Sequence, residues 1–209
     1  MYHYSKMMRK LLLIIIITMI GSLALWVGTD GFQAYTTEGA RRYAIEERPR
    51  ELPDVMLQDQ SGSSFLLSSL KEKYVLFTFF YTRCGDVCPV LEAQFEKVVA
   101  SIPESMKEKD ITFLSVSFDP EHDDPMALEH YAQELNVDGV HWKLVTIPDK
   151  EQLQMMMDVC GVVALPNEWG GYEHNAAIYT ADRAMQLIQI FDFYNTNAVT
   201  DTVMSLLEA

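Results

Sequence analysis

The fold class this sequence predicts is an α/β sandwich with a mixed central sheet, preceded by one membrane-spanning helix. Three observations predict it. Apolar runs without helical period alternate with amphipathic segments along most of the chain, the C-terminal part reads as two strands and a closing helix, and one uninterrupted apolar block stands near the N-terminus. At 209 residues, 49% hydrophobic and 22% charged, the chain has globular composition and room for one core plus an appendage.

Residues 1–10 carry Lys6, Arg9 and Lys10 and no acid, and residues 11–28 (LLLIIIITMIGSLALWVG) carry no charge. A signal peptide's apolar core is typically about 7–15 residues and a spanning helix wants roughly 17–25, so the length favours an anchor. The steps Gly28-Thr29-Asp30 and Phe32-Gln33-Ala34 are poor cleavage sites. Because the cationic flank of a span stays in the cytoplasm, an uncleaved signal anchor would place everything after Gly28 on the other side. Residues 29–51 are polar, with Gly31, Gly39 and Pro49, and suit a tether; the folded domain is expected over 52–209.

Within that domain, Asp59-Gln60-Ser61-Gly62 reads as a hairpin turn and Ser64 to Leu67 as a short strand. Tyr74 to Phe80 is a run of β-formers, as expected of a strand buried on both faces. Pro89 to about Ile102 spaces Val90, Leu91, Phe95, Val98 and Val99 as one helical face, with Pro89 in the first turn. Ile111 to Phe118 is a second apolar strand, Pro125 to Leu135 a second helix, Trp142 to Ile147 a third strand and Lys150 to Val159 a third helix. Ala176 to Tyr179 and Gln186 to Phe191 read as two strands, and Thr196 to Leu207 as the last helix. That order is the thioredoxin-like arrangement.

The formal net charge is −14. An acidic surface repels nucleic acid and anionic headgroups, which excludes nucleic acid as a partner class; it serves solubility or steers a basic partner or a cation.

The chemistry concentrates in Phe80-Tyr-Thr-Arg-Cys84-Gly-Asp-Val-Cys88-Pro89, between a buried strand and a helix start. A cysteine there sees the positive end of the helix macrodipole, which favours thiolate, the form that acts as nucleophile and metal ligand. Four-residue spacing brings the two Cβ atoms to about 5–6 Å, close enough for a disulfide or for two bonds to one soft cation. An inert stabilising disulfide is the plain alternative, yet so short a loop gains little from closure. General dithiol oxidoreductases place two residues between their cysteines; three stand here, which leaves redox exchange open and suits a metal better. Two thiolates leave a copper(I) ion short of a third, soft or imidazole ligand.

Of the five histidines, His3 lies before the span, His130 within a helix, His141 ahead of a strand, and His122 in the acidic loop Asp119-Pro-Glu-His-Asp-Asp-Pro125, a solvated turn and cap by default. His174 is the best placed, because the segment entering the strand from Ala176 would face the dithiol loop in this fold. Cys160, at a helix end, reads as a small buried residue, and Met155-Met156-Met157 diverge around a helix and cannot converge on one ion.

Tyr81-Thr-x-Cys84-x-Asp-Val-Cys88-Pro89, then Val116-Ser-Phe-Asp-Pro120 with Asp124-Pro125, then Glu173-His174 ahead of an apolar strand, together resemble the Sco/SenC family. The resemblance covers about Leu52 to Ala209. It implies a membrane-anchored copper metallochaperone with Cys84, Cys88 and His174 as metal ligands, delivering a copper ion to the dinuclear centre of cytochrome c oxidase subunit II. The alternative it leaves open is a thiol–disulfide oxidoreductase that reduces the cysteines of that subunit, or of other exported proteins, without metal delivery. Another copper chaperone or a thiol reductant would then be a further partner. With no long Arg/Ser-rich presequence, the expected location is a bacterial inner membrane, with the soluble domain on the periplasmic side. Two features depart from the family's pattern. Glu173 stands where an aspartate is common and is expected to keep a supporting role beside the histidine, and Leu165 to Gly171 (LPNEWGG) is not family-like. Asp86 matches the pattern and reads as a cap or a tuner of the thiols. A peroxide-reducing relative and a purely structural tethered module complete the alternatives.

Overall fold

The computed structural model describes residues 2–28, 36–168 and 170–208. Residues 29–35, with the cleavage steps expected there and much of the tether, lie outside them, as does Trp169 of the 165–171 segment. The chain divides into two compact units, residues 1–47 and 48–209.

In the first unit, α1 spans Tyr2–Gly28 and contains, over Met7–Gly28, the one helix among the described residues long and apolar enough to cross a membrane. Helix α2 (Thr37–Glu47) stands where a tether is expected. Its apolar residues are too few to show a period, and local bonds hold it instead. The Thr36 hydroxyl accepts the Gly39 N–H at 2.9 Å, and Glu38 in the first turn pairs with Arg41 and Arg42.

The second unit begins at the short strand β1 (Arg50–Glu51), ahead of the expected start. Strands β2 (Met56–Asp59) and β3 (Ser64–Leu66) form the hairpin read from Asp59 to Gly62, and a 3₁₀ turn over Leu67–Leu70 ends β3 one residue early. Asp59 Oδ1 accepts the N–H groups of Ser61 and Ser63, and Gly62 supplies the left-handed φ of 84° that closes the turn. Then follow β4 (Tyr74–Phe80), α3 (Val87–Ser101), the short α4 (Glu104–Lys109), β5 (Ile111–Ser117), α5 (Pro125–Glu134), β6 (Trp142–Thr146) and α6 (Lys150–Cys160). A hairpin of β7 (Ala164–Pro166) and β8 (Tyr172–His174), then β9 (Ile178–Ala181), β10 (Gln186–Phe191) and α7 (Thr196–Glu208) complete the chain.

Eight strands form one mixed sheet in the order β1-β10-β9-β4-β5-β6-β2-β3, in which β4, β5 and β6 are parallel and the flanking strands antiparallel. The expected α/β sandwich with a mixed sheet is the observed one. The parallel strands are buried on both faces, so their sequences run apolar without alternation. Leu76 of β4 packs with Leu91, Phe95 and Val98 of α3 and Val199 and Val203 of α7, while Phe77 faces the opposite layer and stacks on Tyr179. Because β4 and β5 are parallel neighbours with Phe80 opposite Ser117, the loops leaving their carboxyl ends emerge side by side. Those are the dithiol loop and the acidic loop.

Candidate metal centre

The dithiol loop occupies Tyr81 to Asp86, and α3 starts at Val87, two residues before the first turn expected at Pro89. The earlier start has a chemical reason. Asp86 holds the N-cap position, but its side chain makes no capping bond; the Cys84 sulfur accepts the Cys88 N–H at 3.3 Å instead. A sulfur thus caps the helix, at the end where the macrodipole favours negative charge.

Burial differs between the two thiols. Cys84 is 8% exposed and Cys88 fully covered. The Cys84 thiol is pulled down to about 3, chiefly by the hydrogen bond from the Cys88 thiol; burial opposes the shift, and His174 with the N–H groups of Asp86 and Cys88 reinforces it. Cys88 is displaced upward, first by the thiolate it serves, then by burial, with the Glu92 carboxylate adding to both. The pair therefore shares one proton, held on Cys88.

His174 reaches this pair from a distant part of the chain. Its Nε2 lies 3.3 Å from Cys88 Sγ, and the ligand atoms of Cys84, Cys88 and His174 all lie within 4.8 Å of one another. Its Nδ1 faces the Asn175 carbonyl at 3.4 Å, so the ring nitrogen turned toward the sulfurs is Nε2. Phe118 packs edge-on to the imidazole at 5.0 Å. The histidine does not enter β9 directly as expected; it ends β8. Of the 165–171 segment, Leu165 and Pro166 lie in β7, where Leu165 pairs with Glu173 and Pro166 with Tyr172, and Ala164 before them pairs with His174. Glu173 is exposed, and the group beside the imidazole is the Asn175 carbonyl rather than this carboxylate.

The acidic loop is solvated at Glu121, His122 and Asp124, as expected, but it turns two of its carboxylates inward. Asp123 is fully buried, and accepts the Thr82 N–H at 3.0 Å and hydroxyl at 2.5 Å together with the Ser117 hydroxyl at 2.5 Å. Asp119, also buried, pairs with Arg83 at 2.8 Å and with His122 at 2.9 Å. Burial would raise its carboxyl, but the His122 and Arg83 hydrogen bonds outweigh it and hold the group below the usual range. Asp124 alone acts as the expected cap, accepting the Ala127 N–H at the start of α5. Asp119 and Asp123 therefore fix the backbone on which Cys84 rides, a role that no local pattern in the sequence signals.

The remaining candidates fall elsewhere. His130 pairs with Glu134 and His141 with Asp138, both away from the sulfurs, and the His3 side chain lies outside the described ones. Cys160 is buried at the end of α6, and of the three methionines Met155 is exposed while Met156 and Met157 are buried. A cavity of about 700 Å³ opens over the site, lined by Tyr81, Arg83, Asp86, Asn167, Tyr172 and His174 among others. A trigonal ion with metal–sulfur bonds of about 2.3 Å sets its donors roughly 4 Å apart, so three donors within 4.8 Å fit one small ion. Two sulfurs and one imidazole are the donor set of a soft cation.

Residues 45–208 match the profile of the SCO1/SenC family. The SCO1 protein homolog of Bacillus subtilis is 29% identical over 98 residues, 46% of this chain and 49% of its own length. The chain spans about half the length of the curated relatives it matches. Among solved structures, a SCO1/SenC family lipoprotein from Bacillus anthracis superposes with a TM-score of 0.69 at 24% identity, covering 78% of this chain and 98% of that one. ScoI of Bradyrhizobium japonicum with copper bound superposes with a TM-score of 0.63 at 25% identity, covering 74% of this chain and 98% of that one.

Proposed function

The chain belongs to the SCO1/SenC family, and from that premise we propose that it is a membrane-anchored copper-binding protein that uses Cys84, Cys88 and His174 as ligands in cytochrome c oxidase assembly. The observation that carries this reading is the convergence of two sulfurs, Cys84 in the β4–α3 loop and Cys88 in the first turn of α3, with the His174 imidazole, 86 residues beyond Cys88, all within 4.8 Å of one another. Copper is bound by a relative of the same fold, and assembly of cytochrome c oxidase is the work of the Sco family. On this reading the cargo is a copper ion and its acceptor the dinuclear centre of oxidase subunit II. The helix over Met7–Gly28 is the anchor. Residues 1–10, with Lys6, Arg9 and Lys10, remain in the cytoplasm, residues 29–51 carry the chain away from the bilayer, and 52–209 work on the periplasmic side of a bacterial inner membrane.

The test is copper(I) titration of the reduced full-length chain in detergent against a competing chelator. One equivalent is expected, and His174→Ala should weaken binding by on the order of tenfold to a hundredfold while Cys84→Ser or Cys88→Ser abolishes it. Binding that is unchanged in His174→Ala contradicts the three-ligand site.

One observation favours a second reading, thiol reduction of the oxidase subunit. Cys84 is the more exposed sulfur and accepts a helix N-terminal N–H, the placement of an attacking thiolate, with Cys88 four residues behind it. A chain that reduces a two-cysteine subunit II peptide but takes up no copper would assign the site to that duty.

A further inference from the structure

Tyr81 leaves β4 between the two segments that bring the ligands together. Its phenol oxygen accepts the backbone N–H of Tyr172 at 3.1 Å, and Tyr172 opens β8 two residues before His174. On the other side, the Tyr81 carbonyl accepts the Cys84 N–H at 3.2 Å, so the same residue opens the dithiol loop. The residue is 4% exposed, and its ring packs edge-on against Tyr172 at 5.3 Å and tilted against Phe118 at 5.2 Å.

The hairpin also approaches that oxygen closely at Gly171. A Cβ at position 171 would stand 2.8 Å from the Tyr81 hydroxyl, inside any ordinary contact, so a side chain there would force the buried phenol or the hairpin to shift. Elsewhere the hairpin is fastened at its base, where Asn175 accepts the Val163 N–H at 2.8 Å and donates to the Gly161 carbonyl at 2.9 Å. Those bonds tie the hairpin to the end of α6, not to the thiols.

We propose that Tyr81 is a positioning residue that latches the β7–β8 hairpin, and with it His174, against the dithiol loop through the Tyr172 N–H and the close approach of Gly171. The effect on metal affinity rests on the copper reading above, whereas the latch itself belongs to the metal-free protein. Phenylalanine at this position would keep the aromatic packing and remove the oxygen alone.

The test uses Tyr81→Phe in the full-length chain in detergent, with two readouts. Amide exchange of Tyr172 in the metal-free protein should accelerate by on the order of threefold to tenfold, the value of one net hydrogen bond. The copper(I) dissociation constant should rise by a similar factor, and that rise should disappear when the same substitution is made in His174→Ala. Unchanged exchange at Tyr172 overturns the latch, and an equal loss of affinity in both backgrounds overturns its action through His174. Gly171→Ala provides a second variant: it should reproduce the Tyr81→Phe effect, and the double variant should bind no worse than either single one, because removal of the oxygen vacates the space the new methyl needs. Additive losses overturn the close-contact argument. Should the unaltered chain bind no copper, the functional reading fails, and the exchange of Tyr172 still decides the latch.

Discussion

Replacing Glu92 by glutamine should remove a loss of folding stability that sets in between pH 4.5 and about 7. Glu92 sits on α3 one turn beyond Cys88 with no exposed surface, its carboxylate accepting hydroxyl hydrogen bonds from Thr78 at 2.9 Å and Ser115 at 2.7 Å. Burial drives its carboxyl upward to about 7, and the two hydroxyls only partly offset that. Around it stand Trp142, which donates to Ser115, and Tyr131, whose phenol the Glu92 charge helps push upward. Below pH 4.5 the group is protonated in the folded and unfolded chain alike, and no penalty arises. Between 4.5 and about 7 the folded chain holds a proton that the unfolded one releases, so stability falls with rising pH; above 7 the loss is complete. At about 1.4 kcal/mol per pH unit this amounts to roughly 3 kcal/mol. Glutamine keeps the shape and the hydrogen-bonding reach without the charge. Urea unfolding of both full-length chains in mild detergent between pH 4.5 and 8 cancels the other titrating groups in the difference. The Glu92→Gln chain should gain on the parent by roughly 3 kcal/mol across that interval, a midpoint shift of about 1–3 M urea. Parallel stability curves would falsify the assignment of a buried, ionising carboxylate.

Three further outcomes follow from the geometry. Because Cys84 is held as thiolate far below neutral pH, its alkylation rate in the reduced chain should be nearly flat from pH 5 to 8, whereas a rate climbing tenfold per pH unit would show an ordinary thiol. Asp123→Asn removes the charge from an acceptor of three hydrogen bonds to Thr82 and Ser117, and should cost about 1–3 kcal/mol in urea unfolding; a change under about 0.5 kcal/mol would mean that the acidic loop does not anchor the dithiol loop. Glu72 is a non-glycine residue with φ of 74°, so Glu72→Gly should raise stability by about 0.5–1 kcal/mol, and any loss counts against backbone strain at that turn.

Strands buried on both faces were the most legible part of the sequence. Tyr74–Phe80 has the bounds its composition predicts, as does the less buried Gln186–Phe191, and Ile111–Ser117 falls one residue short because the chain turns at Phe118 to place Asp119. The start of α3 was not legible to the residue, since helix signals assume an oxygen cap and here a sulfur does that work. Helices α2 and α4 are short, and their local ion pairs leave no apolar period to read. The β7–β8 hairpin escaped because strands of three residues with one exposed face carry no alternation, and Pro166, Gly170 and Gly171 look like loop. His174 could be picked out through the fold, by asking which segment enters the strand beside the dithiol loop. Asp119 and Asp123 could not be told from solvated acids, because their partners Thr82, Arg83 and Ser117 are brought to them only by the parallel pairing of β4 and β5.

The unequal cover over the two sulfurs imposes an order on everything that reaches them. Cys84 is grazed by solvent and Cys88 is not, while the imidazole lines the open cavity. An incoming thiol, oxidant or soft ion therefore meets His174 and Cys84 before it can engage Cys88, and a departing one leaves Cys88 first. Such a route makes the site selective by sequence of encounter as well as by affinity: bulky reagents stop at the outer sulfur, and only a species small enough to pass between ring and thiolate arrives at the inner one.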